Sequence, residues 1–394
     1  MGIGLLRQPN HGFGRGTPAG ENMGGSFPAW RSAMTAQTWA EVPMSNTLAD
    51  INPRNNPAIN PNYPSSPEWQ AVGSQSMIVL AWCGASNDDS RVRIAFAGGH
   101  ADWAGNECYD VELNAAAPSW VLTRWPSGSI GNLLTTDDGQ ETTGVYADGQ
   151  PRSSHTYNKP VYVPGVGHFS VVQGACSWSG AGGTNRPIKM AADGTGELMA
   201  DNPYAGAGSA GGGAYDSLRH ALWYRGNNTA SFSKYDIATD TWTSHGSATA
   251  MAFTSALAYH PDSDTLLWSN ASLANDWAVF DCASNTLYQP TFSGTPAGGL
   301  SAGKAQMRWV PSLGAFVCWD NSSDTTLITR LTPPANPRTG TWVIDTLPVD
   351  GANAVTPSVR ATNNTYGRFF YSPTLNGFGL FNSVSGPVYF YALS

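Results

Sequence analysis

Residue types able to do chemistry are concentrated in one short span. Between Arg93 and Trp120 the run RIAFAGGHADWAGNECYDVELNAAAPSW carries His100, Asp102, Asn106 and Glu107, and PRSSHTY further on adds Arg152 and His155. Two imidazoles, two carboxylates, an amide and a guanidinium admit three uses. His100 and Asp102 can ligate a divalent cation with Glu107 as base. The same groups can recognise a ligand. They can also satisfy one another and pin a long loop, because buried polar groups require partners. The spacing favours the last use, since neither H-E-x-x-H nor a paired metal motif is present. No catalytic residue, metal ligand or cofactor is therefore assigned, and the six stand as candidate binding residues. Trp277 and Trp319 join them, at the edges of the Asn- and Ser-rich loops SNASLANDW and WDNSSDTT. Amides beside aromatic rings suit a glycan- or protein-binding rim.

The elements that must position these residues read as strands. Gly (44) and Pro (27) are abundant, and charged residues make up 12% of the 394, against about 25% in ordinary soluble domains. The polar load falls on Asn, Ser, Thr and Gly, which suit turns. A phrase recurs: an aromatic, a few turn residues, then an apolar strand. It appears as VYVPGVGHFSVV, GAYDSLRHALWY, LAYHPDSDTLLW, MRWVPSLGAFVCW and FFYSPTLNGFGLF, around Tyr162, Tyr215, Tyr259, Trp309 and Tyr371. Each predicts a β-hairpin. A third strand follows, and in most cases an aromatic opens a fourth: Trp120, Trp242, Tyr288 and Trp342. The segment QSMIVLAWCGASNDDSRVRIAFA is read as the missing first hairpin of the first unit. The last unit stops after three strands, and AQTWAEVPM (36–44) has the pattern of the absent fourth. The expectation is an all-β fold: a six-bladed β-propeller over residues 36–394, closed by strand 36–44. A glycine-rich, extended arm over residues 1–35 precedes it.

A period near 50 residues with Gly-Gly, Tyr-Asp and Trp in order is kelch spacing. The chain resembles kelch-type β-propellers, including phage and bacterial members and the central domain of galactose-oxidase-like proteins. The resemblance is clearest at Gly98-Gly99, Tyr109-Asp110 and Trp120, and again at Tyr235-Asp236 and Trp242. DGQPRSSHTYNKPVYVPG (148–165) resembles a recurring entry to the second blade. It implies that Tyr109 and Trp120 pack between blades, and that the glycines permit close backbone approach. The copper and Tyr–Cys ligand set of galactose oxidase has no counterpart. The Asp boxes of sialidases survive only as fragments such as Asp240-Thr241-Trp242.

Composition restricts the partners. A net charge of −8 with four lysines leaves no cationic stripe for nucleic acid. No apolar run is long enough to cross a membrane, and the N-terminal residues lack the pattern of a Sec signal. The five cysteines are scattered without a C-x-x-C pair and read as small hydrophobes. Together with the phage resemblance, these features lead to an expected non-enzymatic structural or receptor-binding protein of a virion, made in the host cytoplasm and placed in a phage tail. Its arm would engage other virion subunits, and its loop rim a host-surface glycan or protein. The alternatives are a carbohydrate-active enzyme with a site around His100 and His155, and an intracellular kelch module that binds protein partners.

Overall fold

The computed structural model describes residues 26–53, 75–99, 103, 105–127, 143–146, 148–176, 183–205, 210–226, 231–247, 255–270, 277–294, 307–319 and 323–394. His100, Asp102, most of the glycine-rich arm, and the centres of the loops at 225–231, 269–277 and 319–326 lie outside these residues.

Six small sheets form a six-bladed β-propeller. Strand β1 (Trp39–Glu41) comes first in the chain but belongs to the last blade. Blade 1 holds β2 (Ser86–Asn87), β3 (Arg91–Ala95), β4 (Cys108–Glu112) and β5 (Trp120–Arg124). Blade 2 holds β6 (Pro160–Val163), β7 (Gly167–Ser170), β8 (Ile188–Met190) and β9 (Gly196–Leu198). Blade 3 holds β10 (Gly211–Asp216), β11 (Ala221–Gly226), β12 (Ser231–Asp236) and β13 (Thr241–Ser247). Blade 4 holds β14 (Ser255–His260), β15 (Thr265–Asn270), β16 (Trp277–Asp281) and β17 (Thr286–Tyr288). Blade 5 has an extra outer strand, β18 (Thr291–Ser293), parallel to β22 (Thr341–Thr346). Inside β22 follow β21 (Thr329–Thr332), β20 (Ala315–Cys318) and β19 (Met307–Val310). Blade 6 runs β23 (Phe369–Ser372), β24 (Gly377–Phe381), β25 (Val388–Ala392) and then β1. The predicted closure is therefore present: Trp39 pairs with Tyr391 and Glu41 with Tyr389, antiparallel.

All five recurring phrases form hairpins, and three turns in blades 3 and 4 share a cause. Asp216, Asp236 and Asp281 each accept two backbone N–H bonds from the residues two and three positions on. The next residue, His220, Asp240 or Asn285, takes a left-handed φ of 51° to 56°, which Asn, Asp and His tolerate better than most side chains. The run before blade 1 differs from expectation. Met77–Leu80 forms a single helical turn, α2, and the first strand shrinks to Ser86–Asn87. Ile78 and Val79 of that turn are buried with Val42 and Leu48 where blade 6 meets blade 1, so tertiary packing overrides their strand propensity. The last residues of the arm segment also pack: α1 (Ala29–Ser32) buries Arg31, and Trp30 meets Phe390 edge-on at 5.5 Å.

The core is divided among the seams between blades. Phe370, Phe381 and Phe390 of blade 6 pack with Ile94, Tyr109 and Trp120 of blade 1. Trp223 and Phe232 of blade 3 pack with Trp268 and Phe280 of blade 4. The seam between blades 1 and 2 is leaner, built on Ala95, Phe96, Cys108, Ile188 and Met190. Polar contacts supplement it. All five cysteines are buried and none is in a disulfide, and no described helix is long and apolar enough to cross a membrane.

Candidate functional site

The candidate residues that the structure describes gather at the lean seam between blades 1 and 2. The link is backbone-deep: Ser154 N–H donates to Phe96 O at 2.7 Å, and Ser153 Oγ to Trp103 O at 2.8 Å. Glycine makes it possible. A Cβ on Gly99 would sit 2.5 Å from Ser154 Cα, and one on Gly98 2.5 Å from Trp103 Cβ, so only glycine fits.

Asn106 is fully buried and fully used. Its Nδ2 donates to Ser127 Oγ and Pro151 O, and its Oδ1 accepts Ser127 N–H, all at 2.8–2.9 Å. Arg152 is buried too, donating from Nε to Val145 O at 3.1 Å with its guanidinium over Tyr146. Both pin the loop that joins the blades.

Glu107 lies beneath Gly105, where a Cβ would stand 2.3 Å from its Oε2. It accepts one bond, from Trp103 Nε1 at 3.1 Å, and its Oε1 has no hydrogen-bond partner. Burial pushes its carboxyl above the usual range, against the opposing pull of Trp103 and Arg124. This protonation-prone acid, 3% exposed, is enclosed in the seam. Among the described residues no group of His, Cys, Asp and Glu is placed to hold a metal ion.

His155 packs among aromatic rings. Its ring lies 4.8 Å from Trp82 and 5.8 Å from Tyr157, and Tyr157 meets Tyr366 edge-on at 5.6 Å. Trp82, Tyr157 and Tyr366 precede the innermost strands of blades 1, 2 and 6, which neighbour one another around the axis. Each has a left-handed φ, of 53°, 47° and 47°. Such a φ is a genuine outlier for a bulky residue. Two of the three share one turn: Lys159 N–H donates to Thr156 O, and Arg368 N–H to Thr365 O. The turns read Thr-Tyr-Asn-Lys and Thr-Tyr-Gly-Arg. That internal match was available in the sequence, five residues before the hairpin aromatics Tyr162 and Tyr371.

Lys159 lies under the cluster, wholly buried, donating from Nζ to Gln173 O at 2.9 Å with Tyr157 beside it. Burial draws its amine down to about 7. Arg368 donates to Cys83 O and Asn364 O. Trp277 and Trp319 are elsewhere, enclosed at 5% and 1% exposure in the seams flanking blade 5. Trp319 donates from Nε1 to Thr325 O at 3.0 Å.

No family model matches the chain, and no curated protein matches it. Solved structures do. A Bacteroides thetaiotaomicron protein of unknown function is 13% identical with a TM-score of 0.46, over 79% of this chain and 68% of that one. An auxiliary nutrient binding protein from Bacteroides ovatus is 11% identical at a TM-score of 0.43, over 77% and 66%. Virginiamycin B lyase from Staphylococcus aureus is 12% identical at 0.40, over 80% and 96%. At these values they bear on no function.

Proposed function

We propose that this chain is a kelch-like propeller serving a phage particle as a non-enzymatic structural or receptor-binding component of the tail. Its rim face makes the protein or glycan contacts, and its N-terminal arm engages other subunits. One observation supports binding above all: Trp82, Tyr157 and Tyr366 hold left-handed backbones around the axis. Each such residue costs about 1–3 kcal/mol, and strain of this kind clusters at ligand clamps and switches. Fold does not fix function. The particle assignment is supported by the neutral Asn/Ser/Thr surface, the glycine-rich arm and the kelch phrase in blades 1 and 3.

Electron microscopy of particles from the parent phage, with antibody against this chain, is the test. Label at the tail is expected, and unlabelled particles would overturn the proposal. Particles carrying Trp82→Ala should adsorb poorly to the host. Unchanged adsorption would remove the receptor-binding role and leave the structural one.

A further inference from the structure

Opposite the rim, the propeller face is made of hairpin turns. Three of them border the lean seam: Asp88-Asp89-Ser90, Gly165-Val166-Gly167 and Ala191-Ala192. Their small residues leave a cleft of about 760 Å³ between blades 1 and 2, within the range of small-molecule sites, about 300–1,000 Å³.

The polar groups of this cleft are built in. His168 is 3% exposed and lines it. Its Nδ1 is fixed by Ser86 Oγ at 2.6 Å, and Tyr162, also on the wall, lies 5.1 Å from its ring. Its Nε2 is buried against Asp88 Oδ2, 3.4 Å away. Asp88 is held rigidly from its other oxygen, which accepts Arg91 N–H at 2.5 Å and Ser90 Oγ–H at 3.0 Å. A ligand hydroxyl can donate to Asp88 Oδ2, whose side chain keeps 12% exposure.

Charge narrows the ligand class. Arg93 is consumed by Asp110, Ala191 O and Ala192 O. Arg91 flanks Asp88 at 3.9 Å, and Lys189 faces Glu197 in register. The walls are thus charge-balanced, with hydroxyl-binding groups next to an aromatic ring. We infer that the cleft binds an uncharged saccharide, with Asp88 accepting one hydroxyl and Tyr162 offering an apolar face. This inference is independent of particle membership and uses neither the rim nor the axial aromatics.

The test is calorimetric titration of the full chain with maltotriose, cellotriose, mannotriose, lactose and diacetylchitobiose, with sialyllactose as the charged control. At least one neutral sugar should bind. Asp88→Asn and Tyr162→Ala should each weaken it about tenfold, a loss of about 1.4 kcal/mol, and Gly351→Ala, outside the cleft and with nothing near its missing Cβ, should leave it unchanged. Because Asp88 also holds its own turn, Tyr162→Ala keeps the test readable if Asp88→Asn misfolds. Silence from every neutral sugar at about 10 mM, weaker than any useful affinity, would overturn the inference. So would binding of sialyllactose alone, or affinity retained in Tyr162→Ala.

Discussion

Arg93 in the second strand of blade 1 grips Asp110 in the third with both arms of its guanidinium, Nε to Oδ1 and Nη2 to Oδ2 at 2.8 Å each. The same guanidinium reaches across the seam to Ala191 O and Ala192 O of blade 2. Its side chain has no exposure and that of Asp110 has 12%. Removing one partner of a buried pair leaves the other charge stranded, at a cost of about 3–5 kcal/mol. Asp110→Ala should lose that much stability in urea denaturation, and Arg93→Met added to it should recover part of the loss. A loss below about 1 kcal/mol, the range of exposed pairs, would show that the pair does not hold the seam.

Gly98 offers a sharper test of how the two blades meet. Its φ is +120°, and a Cβ there would also stand 2.8 Å from Trp103 O. Backbone strain and overpacking each cost about 1–3 kcal/mol, so Gly98→Ala should lower the denaturation midpoint with little change in slope. Gly351, with nothing near its missing Cβ, is the control, and Gly351→Ala should leave the midpoint in place. Equal behaviour of the two variants would mean the loop does not press on Trp103.

How far these features could be read in the sequence depends on what each residue does. The hairpins were legible because an aromatic, a turn former and an apolar strand each carry a local signal. Closure by Trp39 was legible because a missing strand at one end matched a spare one at the other. The Met77–Leu80 turn was not, since four consecutive apolar residues suit a buried helix and a buried strand alike. Trp319 stands beside an Asn/Ser loop in sequence and points into the core in space, a choice set by packing that composition does not encode. The cleft was invisible because it is made by small side chains at turns distant in sequence.

Lys159 gives a pH prediction with a definite sign. Burial lowers its amine from 10.5 to about 7 in the folded chain. Between those values the unfolded chain binds the extra proton, so stability rises with pH across that window and flattens below about 7. Lys159→Met removes this dependence. The stability of wild type relative to the variant should therefore climb between pH 7 and 9, by at most about 1.4 kcal/mol per unit. Urea melts of both proteins at three pH values measure it. A flat difference would mean that the amine stays charged on burial.

The ring is fastened at one joint, and that joint should open first. Arg31 is buried against blade 6, donating from Nε to Leu375 O and from Nη2 to Ser394 O, both at 2.7 Å. Trp39 pairs with Tyr391 and donates from Nε1 to Thr326 O at 2.9 Å, tying blade 6 to blade 5. Truncating a buried tryptophan costs about 3–5 kcal/mol, and a charged hydrogen bond is worth about 1.5–3. Trp39→Ala and Arg31→Ala should therefore both destabilise the protein, the first more. Global loss alone does not locate the joint, so hydrogen exchange is the decisive readout. In both variants the amides of Val388–Ala392 should lose protection before those of Ala221–Gly226, on the far side of the ring. An even loss through all blades would mean that β1 adds only bulk to a fully cooperative ring and that the closure is not its weakest point.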